Sequence, residues 1–169
     1  MAITSLHLLA SYISEFFALT TGEHPRLLRI LGVALSSKMY VPQGVQVPCV
    51  NLAADVDLDD IHPWAADLDT AQKMVSEGTA PSLFYFVENS KQLEKKAGKL
   101  AKLWEQKISF WVFYPKAPHL QTDLSRDNTW KLMKQHGMQG TRQVAIDSRW
   151  SCMYFKNTGK SDYVEIVPG

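Results

Sequence analysis

Two continuous apolar runs constrain the fold of this chain more than any other feature of its 169 residues. Leu83–Val87 and Ile108–Tyr114 carry almost no polar side chain, which is typical of strands that are covered on both faces. The segment between them has a helical stripe of apolar residues formed by Leu93, Ala97, Leu100, Ala101 and Trp104. A helix of this length satisfies the requirement of a parallel crossover, so the pattern predicts a right-handed βαβ unit.

The second half of the same stretch predicts another helix and a hairpin. A helix is expected over about Ser125–His136, followed by strands at Thr141–Asp147 and Trp150–Phe155 around a tight turn. Residues 82–156 thus form a βαβαββ core within a single α/β domain that spans residues 1–169. We predict a Rossmann-like three-layer sandwich whose sheet is mostly parallel, with a C-terminal antiparallel hairpin.

The first 37 residues are expected to be helical. Ile3–Leu19 and Pro25–Ser36 have apolar residues at spacings of three and four. These helices are so apolar that they must pack on the sheet or on another subunit, and a homodimer through the N-terminal helices is one predicted partner state. The segment has no basic start and no uninterrupted apolar run, so neither a signal peptide nor a membrane span is expected.

The middle of the chain is harder to interpret. One or two short strands are predicted, at Val45–Val47 and Cys49–Leu52, with Pro48 between them barring a continuous central ladder. A short helix is expected at Thr70–Ser76, and Tyr163–Val167 would add a short edge strand near the end of the chain.

Composition indicates an ordinary globular protein, with 46% apolar and 21% charged residues. Cys49 and Cys152 are too few for a disulfide scaffold, which favours a reduced, cytoplasmic setting. The net charge of +1 conceals an asymmetry: residues 1–81 carry 4 basic and 9 acidic side chains, and residues 82–169 carry 14 and 8. The C-terminal half would therefore face an anionic partner, unless the two halves simply complement each other.

A set of short motifs resembles the C-terminal signature of a bacterial family of small uncharacterised proteins. The motifs are Phe113-Tyr114-Pro115-Lys116, then Thr122-Asp123-Leu124 and Trp130, and finally Val144-Ala145-Ile146-Asp147 followed by Trp150-Ser151. The resemblance covers less than half of the chain, and it implies an architecture but no activity.

The order of elements also resembles the second half of a class I methyltransferase-type Rossmann fold. That resemblance implies S-adenosylmethionine bound on a glycine-rich loop after the first strand. None of the nine glycines forms a Gly-x-Gly-x-x-Gly motif, and no acidic residue follows such a loop at ribose distance. We therefore expect no cofactor.

A candidate anion site follows the strand Ile108–Tyr114, at the sheet edge where open α/β folds bind ligands. Lys116, Thr122, Asp123 and Arg126 would lie within reach of one another there. The two cations would hold a carboxylate or phosphate, aided by the amide groups that open the next helix.

The same residues also admit a structural interpretation. Thr122, Asp123 or Ser125 would cap the following helix, and Lys116 would close a turn against Asp123. Both interpretations remain open on the sequence. His119 is the histidine nearest to this edge, but one histidine does not define a site.

Three other chemistries find little support. The acidic run from Asp55 to Asp60 with His62 begins like a calcium loop, but it lacks the required glycine and closing glutamate, so a solvated loop is favoured over a looser metal site. The six lysines of residues 91–107 would suit nucleic acid only if the neighbouring aromatic residues were exposed, so nucleic-acid binding is not expected. Nucleophilic catalysis has no Gly-x-Ser-x-Gly elbow, and no catalytic residue is assigned.

These observations predict a non-catalytic module that binds a small anionic ligand or a protein partner. The alternative is a divergent transferase-like enzyme with its site at the Lys116–Arg126 edge.

Overall fold

The computed structural model of the protein describes residues 33–117 and 121–159. Its elements, in chain order, are α1 (Leu35–Lys38), β1 (Gln46–Val50), β2 (His62–Ala65), α2 (Leu68–Ser76), β3 (Leu83–Phe86), α3 (Ser90–Glu105), β4 (Phe110–Pro115), α4 (Arg126–Gln135), β5 (Gly140–Ala145) and β6 (Trp150–Phe155). Several predictions lie outside the described residues, namely the helix Ile3–Leu19, most of the helix Pro25–Ser36, His119 and the strand Tyr163–Val167.

The six strands form one mixed sheet in the order β2-β1-β3-β4-β6-β5. The pairs β1–β2, β1–β3 and β3–β4 are parallel. Strand β6 is antiparallel to both of its neighbours, β4 and β5. The predicted α/β class, the mostly parallel sheet and the C-terminal antiparallel hairpin are therefore confirmed.

Alternate residues of the apolar runs enter two separate cores, which explains why these strands are apolar throughout. Leu83 and Tyr85 of β3 face one core, which includes residues of α2, α3 and α4. Phe84 and Phe86 face the other core. All four residues are almost completely buried, as expected of a strand covered on both faces.

In the described part of the chain, the second core is covered by a short helix and a loop segment and not by the three longer helices. Leu35 and Met39, in and after α1, pack there together with Leu58 and Ile61 from the segment between β1 and β2. Helices longer than one turn lie on only one face of the sheet among the described residues. The three-layer arrangement accordingly stays a prediction.

The prediction that Pro48 bars a continuous ladder was wrong. Strand β1 runs unbroken through Pro48 and lies inside the sheet, between β2 and β3. Pairing with β3 begins only at Cys49, which is aligned with Phe84. Pro48 thus precedes the residues that pair with β3, where its missing N–H is tolerated.

Two further boundaries differ from expectation. Ala34 has extended backbone angles and precedes the short helix α1, so the predicted helix Pro25–Ser36 does not continue through it. The four exposed residues of β2, His62–Ala65, form an edge strand where no strand was predicted.

The described residues include no helix that is long and apolar enough to cross a lipid bilayer.

Candidate functional site

The structure gives Lys116 a partner other than Asp123. Its Nζ donates a hydrogen bond to the carbonyl oxygen of Asp147 at 2.6 Å. Its backbone N–H donates to the carbonyl oxygen of Arg149 at 2.7 Å. Lys116 therefore joins the end of β4 to the β5–β6 turn, and the predicted contact with Asp123 is not formed.

Thr122 and Asp123 hold the loop before α4 against the start of α3. The Thr122 hydroxyl donates to the carbonyl oxygen of Glu88 at 2.8 Å. The Asp123 carboxylate accepts from the Ser90 backbone N–H at 2.8 Å and also from the Ser90 hydroxyl. These hydrogen bonds, with the hydroxyl of Ser90 first, lower the pKa of Asp123. The first amide of α3 thereby receives an acceptor.

Arg126 pairs with its neighbour in the sequence. Its Nε lies 3.0 Å from a carboxylate oxygen of the neighbouring Asp127, and both side chains are exposed. The cap of α4 is Ser125, whose side chain accepts from the Asn128 N–H while Asn128 reaches back to the Ser125 N–H. This capping box confirms the structural interpretation for Ser125. No two of the four candidate anion ligands share one of these partners.

The Asp147 carboxylate organises the turn of the hairpin. It accepts three backbone N–H groups, from Asp57 at 3.0 Å, Arg149 at 2.8 Å and Trp150 at 2.7 Å. Asp55 adds a second connection by accepting from the indole Nε1 of Trp150 and from Arg149, each at 3.2 Å. The hairpin is therefore fastened to the segment that follows β1.

A cleft of about 530 Å³ opens beside this fastening, at the carboxyl ends of β1 and β3. One wall is the segment from Asn51 to Ala54, and another is formed by residues of α3. The full lining is Asn51, Leu52, Ala53, Ala54, Tyr85, Phe86, Val87, Glu88, Gln92, Lys95, Lys96 and Trp150.

The floor of the cleft is buried and mostly aromatic. Tyr85, Phe86 and Trp150 are buried there, and the rings of Phe86 and Trp150 meet edge to face at 5.5 Å. Burial raises the pKa of the Tyr85 hydroxyl, an effect that a hydrogen bond from the Asn51 side chain partly offsets. Asn51 itself has a φ of 55°, a left-handed conformation that asparagine tolerates better than most residues.

Gln92 and the two lysines form the polar wall. The Gln92 side-chain oxygen accepts from the Glu88 N–H at 2.9 Å. The amide nitrogen of Gln92 takes no part in this hydrogen bond. Lys95 is exposed and Lys96 is half-buried. Neither lysine forms an ion pair or side-chain hydrogen bond with another residue in the described part of the chain.

The two cysteines remain poor candidates for chemistry. Both thiols are free and buried. Burial raises the pKa of Cys49 to about 12 and that of Cys152 well above its ordinary value. Neither is a reactive thiolate near neutral pH. The described residues also contain no group of three histidine, cysteine or acidic side chains that is placed to hold a metal ion.

Sequence reasoning missed the cleft because no motif marks it. Asn51 and Lys95 are 44 positions apart, and only the pairing of β1 with β3 brings their segments together. One available signal was the rule that ligands bind where the order of parallel strands reverses. That rule can be applied only if β1 is known to lie inside the sheet. Pro48 argued against such a position, because proline is rare in central strands.

Comparison with known proteins adds no relative: no protein-family model and no curated protein sequence matches this chain.

Proposed function

We propose that this protein is a non-catalytic module that binds a small anionic ligand in the cleft at the carboxyl ends of β1 and β3. The proposal rests on the position of two lysines, Lys95 and Lys96. Both line this cleft, and neither forms an ion pair with another described residue.

The position of the cleft supports ligand binding independently of its charge. From β1 the chain passes to β2 on one side, and β3 then lies on the other side of β1. The crevice between β1 and β3 is therefore the point at which the strand order reverses. Open α/β sheets bind ligands at this point, outside the carboxyl ends of the strands.

The lining favours a ligand with one anionic end and an uncharged body. Lys95 and Lys96 suit a phosphate or carboxylate, and the side-chain amides of Asn51 and Gln92 offer further hydrogen bonds. Glu88 leaves a balance of one positive charge at the rim. A volume of about 530 Å³ lies within the range of small-molecule sites.

The strand order also supports a Rossmann-like interpretation of the fold, with β6 as the one reversed strand. In the methyltransferase-type fold, which the chain resembles, a glycine-rich loop follows the first strand. The corresponding segment here, Asn51-Leu52-Ala53-Ala54, contains no glycine. Its side chains keep a pyrophosphate from approaching the backbone as it does in dinucleotide sites. This supports a simpler anion and a binding role.

Two measurements on the full chain test the proposal. Native mass spectrometry of gently purified protein would reveal a small molecule that is lost on denaturation. Titrations with inorganic phosphate and with succinate, followed by amide chemical shifts, would show saturable changes at residues 51–54 and 88–96. We expect the double variant Lys95→Ala/Lys96→Ala to bind at least about tenfold more weakly, because it loses two charge-assisted contacts.

The matched control is Lys99→Ala/Lys102→Ala, which removes the same charge from exposed positions of α3 outside the cleft. We expect this control to bind as the unaltered protein does. Equal weakening in both double variants, or no saturation with either anion, would contradict the proposal.

A further inference from the structure

The two outer strands of the sheet differ in how well they are protected from pairing with another chain. Strand β2 has only four residues and contains Pro63, which cannot donate a ladder hydrogen bond. Strand β5 has six residues and contains neither proline nor lysine. In the described part of the chain, β6 is the one strand that pairs with β5. Natural proteins usually blunt such an edge, and in β5 the charge of Arg142 and a bulge after Gly140 do so only near the start of the strand.

The geometry of β5 is firmly set. A bulge lies between Gly140 and Arg142, and the next four residues follow a regular antiparallel register with β6. A Cβ at Gly140 would lie 2.5 Å from the sulfur of Met153, so a larger residue here would force the Met153 side chain to shift. Arg142–Ala145 therefore has a regular backbone geometry next to β6.

A groove of about 400 Å³ runs beside this edge, between β5 and α4. Trp130 lines it from the helix, half-buried, and Thr141 and Gln143 line it from the strand with exposed side chains. The Gln143 side chain also donates to the Tyr114 hydroxyl at 2.8 Å, which fixes its orientation. The groove is shaped to receive side chains from a strand laid along β5.

The charged residues that line this groove are Arg126, Arg142 and Asp127, which leaves a balance of one positive charge. Arg126 lines the groove, and its ion pair with Asp127 is solvent-exposed and therefore weak. Arg142 stacks over the Tyr40 ring at 5.2 Å from its centroid and donates to the Tyr40 hydroxyl at 2.9 Å. A stacked guanidinium keeps further N–H groups available for a carboxylate.

We infer that the outer edge of β5 and its groove bind an extended acidic segment of a partner protein by strand addition. Backbone hydrogen bonds to Arg142–Ala145 supply the affinity, and Arg126 and Arg142 select acidic side chains on the added strand. This surface is separate from the β1–β3 cleft, so the inference does not depend on the proposed function.

The test uses a fluorescein-labelled peptide of alternating glutamate and valine, seven residues long, and measures anisotropy with the full chain. We expect saturable binding by this peptide and none by the lysine–valine peptide of the same pattern. N-methylation of alternate peptide bonds should weaken binding at least about tenfold, because strand addition requires backbone donors. Hydrogen exchange in the unaltered protein should slow at residues 142–145.

The variant Arg126→Glu/Arg142→Glu should also bind at least about tenfold more weakly. Its control, Lys99→Glu/Lys131→Glu, makes the same change of charge on exposed faces of α3 and α4 and should bind normally. The inference is overturned if binding does not saturate by roughly 1 mM peptide, if the N-methylated peptide binds equally well, or if both variants weaken binding alike. A dimer that dissociates on Arg126→Glu/Arg142→Glu would place a second copy on β5 and would also overturn it.

Discussion

The carboxyl edge of the sheet has two halves that use polar side chains in opposite ways. In the hairpin half, formed by the ends of β4 and β5 and the start of β6, Lys116 and Asp147 are fully engaged in holding segments together. In the cleft half, formed by the ends of β1 and β3 with α3, Lys95 and Lys96 line an open cavity. The two halves are joined by Trp150, which belongs to the hairpin and also lines the cleft.

The recognisable sequence motifs therefore lie in the hairpin half, whereas the open cleft lies in the other half. The motifs after β4 and around Asp147 are short and regular because their side chains accept hydrogen bonds from backbone N–H groups two or three residues away. The cleft has no such regularity, because its residues come from separate segments of the chain. We therefore expect substitutions in the hairpin half to change stability and substitutions in the cleft half to change binding.

The largest effect is expected from Asp147→Ala in the hairpin half. Loss of one carboxylate removes the acceptor for three backbone N–H groups, and we expect the free energy of unfolding to fall by about 2–3 kcal/mol. Urea unfolding followed by far-UV circular dichroism measures this. Asp147→Asn keeps an acceptor oxygen and should lose less. If Asp147→Ala were as stable as the unaltered protein, the carboxylate contacts would have no structural role.

A smaller effect of opposite sign is expected at Gly98, on the helix that forms one wall of the cleft half. Gly98 is in the interior of α3, and a Cβ there would meet no other atom within 4 Å. Gly98→Ala should raise the free energy of unfolding by about 1 kcal/mol, because alanine has the higher helix propensity. Phosphate binding should not change, because Gly98 does not line the cleft.

The control for Gly98→Ala is Gly140→Ala. Its added methyl group would meet the buried Met153 side chain, so this variant should be less stable than the unaltered protein. Thermal unfolding of both variants in parallel separates helix propensity from packing. A loss of stability in Gly98→Ala would show that the surface of α3 is less open than the structure indicates.

The smallest effect concerns pH and Asp123, which joins the hairpin half to the start of α3. Hydrogen bonds from Ser90 lower the pKa of Asp123 below its ordinary value of 3.8. A lowered carboxyl pKa contributes stability that is present above the ordinary pKa and is lost as pH falls through the folded-state pKa. The unaltered protein should therefore be more stable than Asp123→Asn at pH 7, and the difference should shrink as the pH falls below about 4.

Unfolding curves recorded from pH 7 to acid check this expectation. Ser90→Ala removes the hydroxyl donor but keeps the backbone N–H, so it should show a weaker version of the same pH dependence. A difference between Asp123→Asn and the unaltered protein that stays constant with pH would show that the hydrogen bonds to Ser90 do not favour the charged carboxylate.

Much of the fold could be predicted from the sequence where one residue pattern had one physical solution. The run Leu83–Val87 predicted a strand buried on both faces, and β3 is such a strand. The apolar stripe from Leu93 to Trp104 likewise predicted α3, whose stripe residues are buried or half-buried. In each case the local pattern and the tertiary environment require the same structure.

The remainder depended on information that is not local. Every residue of β2 is exposed, and Pro63 lies within it, so neither alternation nor an apolar run indicated a strand. Lys116 and Arg126 are close in sequence, but β4 and α4 direct them to different partners. Lys95 and Asn51 are far apart in sequence and line one cleft. The anion site at Lys116, Thr122, Asp123 and Arg126 remains a prediction, and Lys116→Ala and Arg126→Ala test it residue by residue.

The reversed strand β6 has a consequence for how the chain matures during synthesis. Strand β4 leaves the ribosome with apolar, largely aromatic side chains and an unpaired backbone edge, and its partner on that side is not complete until Phe155 has been added, 40 residues after Pro115. At ordinary rates of translation this takes roughly 2–8 s. For those seconds the nascent chain exposes an apolar, unpaired strand, which is the kind of surface that chaperones bind. Trp150 also arrives in this interval, so a ligand meets a finished cleft only after the hairpin has completed the sheet.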